Sequence, residues 1–155
     1  MSQRINAKKI WLGLLMAAVV GAFGNVPTAA AQTALDFEFF KTRVAPIFLK
    51  KRGEHARCYV CHQRSSGSSY QYLEKLPEGA DFWTDAQLRT MMERISRLAV
   101  PGDPSRSKIV MYPLAPEQGG WSDGGVHSGG RKFADQNDPD WKTFAQWVQG
   151  AKAGQ

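Results

Sequence analysis

The chain has 155 residues, with 20 lysine and arginine side chains against 14 acidic ones, a formal charge of +6, and only 2 cysteines. Arg4, Lys8 and Lys9 lie in a leader expected to be removed, after which 17 basic face 14 acidic side chains. That balance, without a basic stripe interleaved with aromatics, excludes a nucleic-acid binder of the electrostatic type.

Those three cations precede an apolar run from Ile10 to Phe23, and Ala29, Ala30 and Ala31 follow with the small side chains a signal peptidase accepts. The pattern predicts a signal peptide over residues 1–31, cut after Ala31, and export to the periplasm. The run is shorter than the roughly 20 residues of a membrane span, so no stable membrane insertion is expected after cleavage. No cysteine lies near the cleavage site, which excludes a lipoprotein anchor. Residues 32–155 remain, a length that suits one domain with one core.

The first element of that domain is expected over Leu35 to Leu49, where Phe37, Phe40, Val44 and Ile47 or Phe48 recur at helical spacing. Pro46 should bend or end it. Gly53 breaks the pattern, and Cys58-Tyr59-Val60-Cys61-His62 follows, using both cysteines of the chain. This is the CxxCH spacing at which haem is attached covalently. Positions i, i+3 and i+4 of one helical turn project to one side, so two thiols and an imidazole can address a single porphyrin. Cys58 and Cys61 would form thioethers and His62 would supply an axial nitrogen to iron. A plain disulfide and a thiol–disulfide oxidoreductase use the same cysteine spacing, but the latter needs a βαβ framework and no strand-like runs occur here. A structural zinc site needs four ligands and would have no second paired motif to draw on. The Nδ1–H of His62 should donate to a backbone carbonyl, with Pro77 the expected acceptor.

Residues 65–69, all serine or glycine, read as a polar loop. Thr84 and Gln87 form a capping-box pattern ahead of a second helix with Leu88, Met91, Met92 and Ile95 on one face, stopped by Pro101-Gly102-Asp103-Pro104. A long irregular segment runs from Pro113 to Asn137, where paired glycines recur and a packed ligand would give the chain something to fold against. The last helix has Asp138 as N-cap, Pro139 in its first turn, a stripe of Trp141, Phe144, Ala145 and Val148, and Gly150 at its end.

A helix ahead of CxxCH, a loop, a middle helix, a long loop and a C-terminal helix is the order of class I cytochromes c. From about Phe37 to Gly150 the chain resembles the cytochrome c-like domains of planctomycete-type cytochromes. The motifs are Val44, Pro46 and Ile47 before CxxCH, then Pro101-Gly102-Asp103-Pro104-Ser105 and Ser107, then Pro113-Leu114-Ala115-Pro116-Glu117 with Gly119-Gly120. His127-Ser128-Gly129-Gly130 and Asp138-Pro139-Asp140-Trp141 close the set. Such domains often carry histidine where Tyr112 stands here. The resemblance implies a mainly α, class I cytochrome c-like fold around one covalently bound haem c, with long loops.

It also implies a sixth iron ligand from the loop before the last helix. His127 lies 11 residues before Asp138 between glycine-rich flanks, and Met111 lies 27 before it, so both are candidates. Met91 and Met92 read as core filling. His55 is expected on the His62 side of the haem. Arg106, Lys108, Arg131, Lys132 and Trp121 are candidate partners for the haem propionates. The expected function is single-electron transfer between redox partner proteins, without enzyme activity of its own. The alternatives are a haem c subunit of a larger oxidoreductase and a gas-binding haem sensor with an open sixth site.

Overall fold

The computed structural model describes residues 34–53, 55–64, 70–122, 127 and 130–154. The expected signal peptide and the 65–69 loop lie outside them. The described residues are mainly helical, with isolated β-bridges in place of strands. None of their helices is long and apolar enough to cross a membrane.

The first expected helix forms in three parts: α1 (Phe37–Phe39), a π-helical turn (Phe40–Val44) and α2 (Ala45–Leu49). Asp36 caps it by accepting from Phe39 N at 2.7 Å. Pro46 does not end it, although proline has no N–H to donate to the ladder. Ala45 N donates to Phe40 O, one residue further back than in an α-helix, and this widened turn lets the proline ring follow. The wider turn also changes the phase of the apolar face. Phe39 is buried along with Phe40, Val44, Ile47 and Phe48, whereas Phe37 is only partly covered, with the Arg89 guanidinium 3.9 Å above its ring.

Helix α3 is the CxxCH turn itself (Cys58–His62) and α4 spans Asp85–Ser96. Both halves of the α4 capping box form: Thr84 Oγ1 accepts from Gln87 N, and Thr84 N donates to Gln87 Oε1 at 3.0 Å. Leu88, Met91 and Ile95 face the core and Met92 is half-buried. A further helical turn, α5 (Lys108–Met111), stands where no element is expected. It hangs on Ser107, whose buried hydroxyl donates to Asp103 O at 2.8 Å and accepts from Val100 N at 2.8 Å.

The last helix, α6 (Pro139–Gln149), starts on Asp138 and stops at Gly150, where φ is +96°, a conformation that glycine adopts without the clash of a Cβ. Its buried stripe is Phe144, Trp147 and Val148, with Trp141 and Ala145 only partly covered. Trp147 is the hub. Its ring centroid lies 5.3 Å from that of Phe40, and its indole Nε1 donates to Asp36 O at 3.0 Å, tying α6 to the first helix. Phe48 and Phe133 meet Phe144 at 5.6 and 5.7 Å, which brings the segment before CxxCH and the segment after His127 onto the same core.

Trp147→Ala removes the largest fully buried side chain together with that hydrogen bond. A loss of about 3–5 kcal/mol in unfolding free energy is expected, measured by denaturant titration.

Candidate haem site

The two sides of the site are built by different means. On one side, α3 carries Cys58, Cys61 and His62 on a single turn, and the two thiols are not joined in a disulfide. Leu73, buried in the core, draws the following segment back onto the end of α3: Leu73 N donates to His62 O at 2.9 Å and Arg64 N to Leu73 O at 2.8 Å. This return places Tyr70 O at 2.8 Å from His62 Nδ1 and the Tyr72 ring at 6.0 Å from the imidazole. The carbonyl that receives His62 is therefore that of Tyr70. Pro77, the expected acceptor, instead caps a turn by accepting from Ala80 N at 3.1 Å.

On the other side, His127 and Gly130 are bonded to each other. Gly130 N donates to His127 O at 2.8 Å, and His127 Nδ1 lies 2.9 Å from Gly130 O. Gly130 has φ +81°, and a Cβ there would lie 2.2 Å from His55 Nδ1. His55, expected with His62, thus packs against Gly130. Beyond Gly130, Lys132 N and Phe133 N both donate to Pro113 O, and Ala115 N donates to Phe133 O at 3.0 Å. Arg131 Nη1 meets three carbonyls, those of Tyr112, Leu114 and Trp121, at 2.9–3.1 Å. The long segment is therefore held by main-chain acceptors on both flanks.

The His62 and His127 ring centroids lie 6.0 Å apart with their planes tilted by 36°. One metal ion between two imidazoles, with bonds of about 2 Å on each side, calls for roughly 6 Å between ring centres. Each Nδ1 meets a carbonyl, which requires the proton on Nδ1 and leaves the Nε2 lone pair unprotonated in the neutral ring. Burial lowers the His127 pKa, and the His62, Lys132 and Arg131 charges add to that against the bond to Gly130, which favours the neutral form. Burial pushes the Cys58 thiol up, opposed by the Lys132 ammonium. Among the described residues no three His, Cys, Asp or Glu side chains converge as a metal cage. A haem iron, with four positions filled by the porphyrin, asks the protein for two. The donor set of two thiols on one turn and two imidazoles with centroids 6.0 Å apart fits that group.

Met111, the other candidate, is 8% exposed and belongs to the hydrophobic core. Met91 is fully buried there as well. Of the proposed propionate partners, Arg131 is engaged by its three carbonyls and Lys132 Nζ by Ala56 O. Trp121 is half-buried edge-on to Tyr112, and Arg106 and Lys108 are exposed.

Arg52 was not legible as a site residue. It follows two lysines and reads as part of a basic helix end, yet its guanidinium grips Asp138 bidentately at 2.7 and 2.8 Å, reaches Asp140 with Nε at 3.1 Å, and donates to Lys132 O at 2.8 Å. It also lies 5.0 Å above the Phe133 ring. Burial pushes the Asp138 carboxyl up, but the Arg52 bonds and the N–H groups of Trp141 and Asp140 outweigh this and hold it below the usual carboxylate range.

The chain matches no family model, no curated protein and no solved structure.

Two outcomes are expected. Gly130→Ala should cost roughly 1–3 kcal/mol from the strained φ and the clash with His55, and should remove the cross-ring contact between His62 and His127 seen by NMR. Adding His55→Ala should restore the steric share only. The lowered Asp138 pKa contributes stability that is present above the unfolded value of about 3.9 and is lost as pH falls through the folded value. Thermal midpoints of the native chain and Asp138→Asn should therefore differ most near neutral pH and converge on acidification below about pH 4.

Proposed function

We propose that this chain is an exported, periplasmic c-type cytochrome with a single haem, which carries single electrons between redox partner proteins. The observation that carries the reading is the His62–His127 pair, 6.0 Å apart beside the CxxCH turn. Cys58 and Cys61 would hold the haem covalently, and His62 and His127 would offer Nε2 from its two sides. When bound, the iron supplies a one-electron change of oxidation state.

The chain's own residues do the rest. Tyr70 O and Gly130 O each accept the Nδ1–H of one imidazole, which fixes its tautomer and orientation and raises its basicity as a ligand. Two such nitrogens favour a lower potential than a histidine–methionine pair would. Leu73 and Phe133, both buried, anchor the two flanking segments in the core, so neither ring needs to move when charge changes. The helix order and the resemblance to class I cytochromes c support the same reading.

Maturation in a periplasm equipped for haem attachment should give one haem per chain that survives denaturation, and none in Cys58→Ala/Cys61→Ala. His127→Ala should open the sixth position, so that ferrous protein binds carbon monoxide at once while the native chain does not. Immediate carbon monoxide binding by the native chain would favour the gas-binding alternative. Stable co-purification with a catalytic subunit would favour a role as a haem subunit.

A further inference from the structure

We propose that Arg52 and Lys132 are positioning residues that together set the spacing of the two histidines. The proposal rests on the haem reading above. Arg52 precedes Cys58 by six positions, and Lys132 follows His127 by five. Arg52 Nη1 donates to Lys132 O at 2.8 Å, and Lys132 Nζ reaches back to Ala56 O, four residues beyond Arg52. The segment leading into the CxxCH turn and the segment that follows His127 are thereby cross-tied at two points.

A cross-tie positions a site only if it is itself fixed, and Arg52 meets that condition. Its fork is held in plane by the bidentate contact with Asp138, with Asp140 as a further acceptor, while its face rests on Phe133. Asp138 in turn is the N-cap of α6, accepting from Asp140 N at 2.8 Å and Trp141 N at 3.2 Å. The helix carries Trp147 and Phe144 into the core. The guanidinium is thus registered to the start of α6, and the position of Lys132 O follows from it. Side-chain exposures of 17% for Arg52, 18% for Asp138 and 13% for Asp140 keep these bonds from being screened as surface pairs are. His55 against Gly130 adds a third contact between the same two segments.

Arg52 and Lys132 act on the imidazoles through the segments they tie, and Lys132 also through its charge on His127; a purely structural role would lower stability without altering the iron's ligands. The discriminating measurement is the rate at which cyanide displaces the sixth ligand of the ferric holoprotein. Arg52→Ala should raise that rate by roughly tenfold, the scale of losing one charge-assisted hydrogen bond. Arg52→Lys, which keeps the charge but loses the fork, should stay above the native rate. Lys132→Met keeps the stem and loses the bond to Ala56 O, and it should raise the rate several-fold, providing the test if Arg52→Ala does not fold. Ser107→Ala removes a buried hydroxyl bonded to Val100 N and Asp103 O, outside the two tied segments, and should lower stability with the rate within about twofold of native. If Arg52→Ala or Lys132→Met folds, loses stability and keeps the native rate, the positioning role is overturned while the haem reading stands. If native ferric protein lacks a bis-imidazole spectrum, the haem-ligand reading falls and this inference falls with it.

Discussion

Two imidazoles 65 positions apart in sequence lie with ring centroids 6.0 Å apart, one on the CxxCH turn and one outside the described helices. Isolated rings on loops would sample many rotamers, and the cost of ordering them must be met by fixed partners. Here each ring is fixed through Nδ1 by a carbonyl, and each carbonyl belongs to a segment pinned to the core within three residues: Tyr70 by Leu73, Gly130 by Phe133. Main-chain acceptors suit the task because their positions are set by the fold and do not depend on a second flexible side chain.

The core explains why so few regular elements suffice. Phe40, Phe48, Phe133, Phe144 and Trp147 form a continuous set of tilted and edge-on ring contacts in which the first helix, the last helix and the loop after His127 all take part. Aromatic pairs of this kind add to the burial of their area. Helices α1 and α2, with the π turn between them, therefore deliver the chain to CxxCH in a defined direction. Helix α6 delivers Asp138 and Asp140 to Arg52, so the same hydrophobic contacts fix both flanks of the site.

What the sequence disclosed followed the range of each signal. The capping box of Thr84 and Gln87, the Asp138-Pro139 start and Gly150 stop of α6, and the CxxCH turn all depend on neighbours within a few positions, and the structure bears out those helix signals. The buried stripe of α6 was legible in part, with Trp147 rather than Trp141 at its centre, because the direction of the core is set by Phe40 and Asp36 more than 100 positions away. The π turn was not legible, since nothing in Phe40–Val44 marks a change of helical period before Pro46. Helix α5 was missed because its support is the buried Ser107 hydroxyl. Spacing left His127 and Met111 open, and it could not show that the His127 ring lies near His62 while Met111 packs in the core. Arg52 and Tyr70 were hidden for the same reason, as partners chosen by the fold and lacking a local motif.

The proposed function requires that His62 and His127 both ligate one haem iron. Near-infrared magnetic circular dichroism of the ferric holoprotein tests it most directly. Bis-imidazole ligation predicts a low-spin spectrum without a sulfur-to-iron charge-transfer band; the presence of that band would contradict His127 as the sixth ligand and assign the position to a methionine.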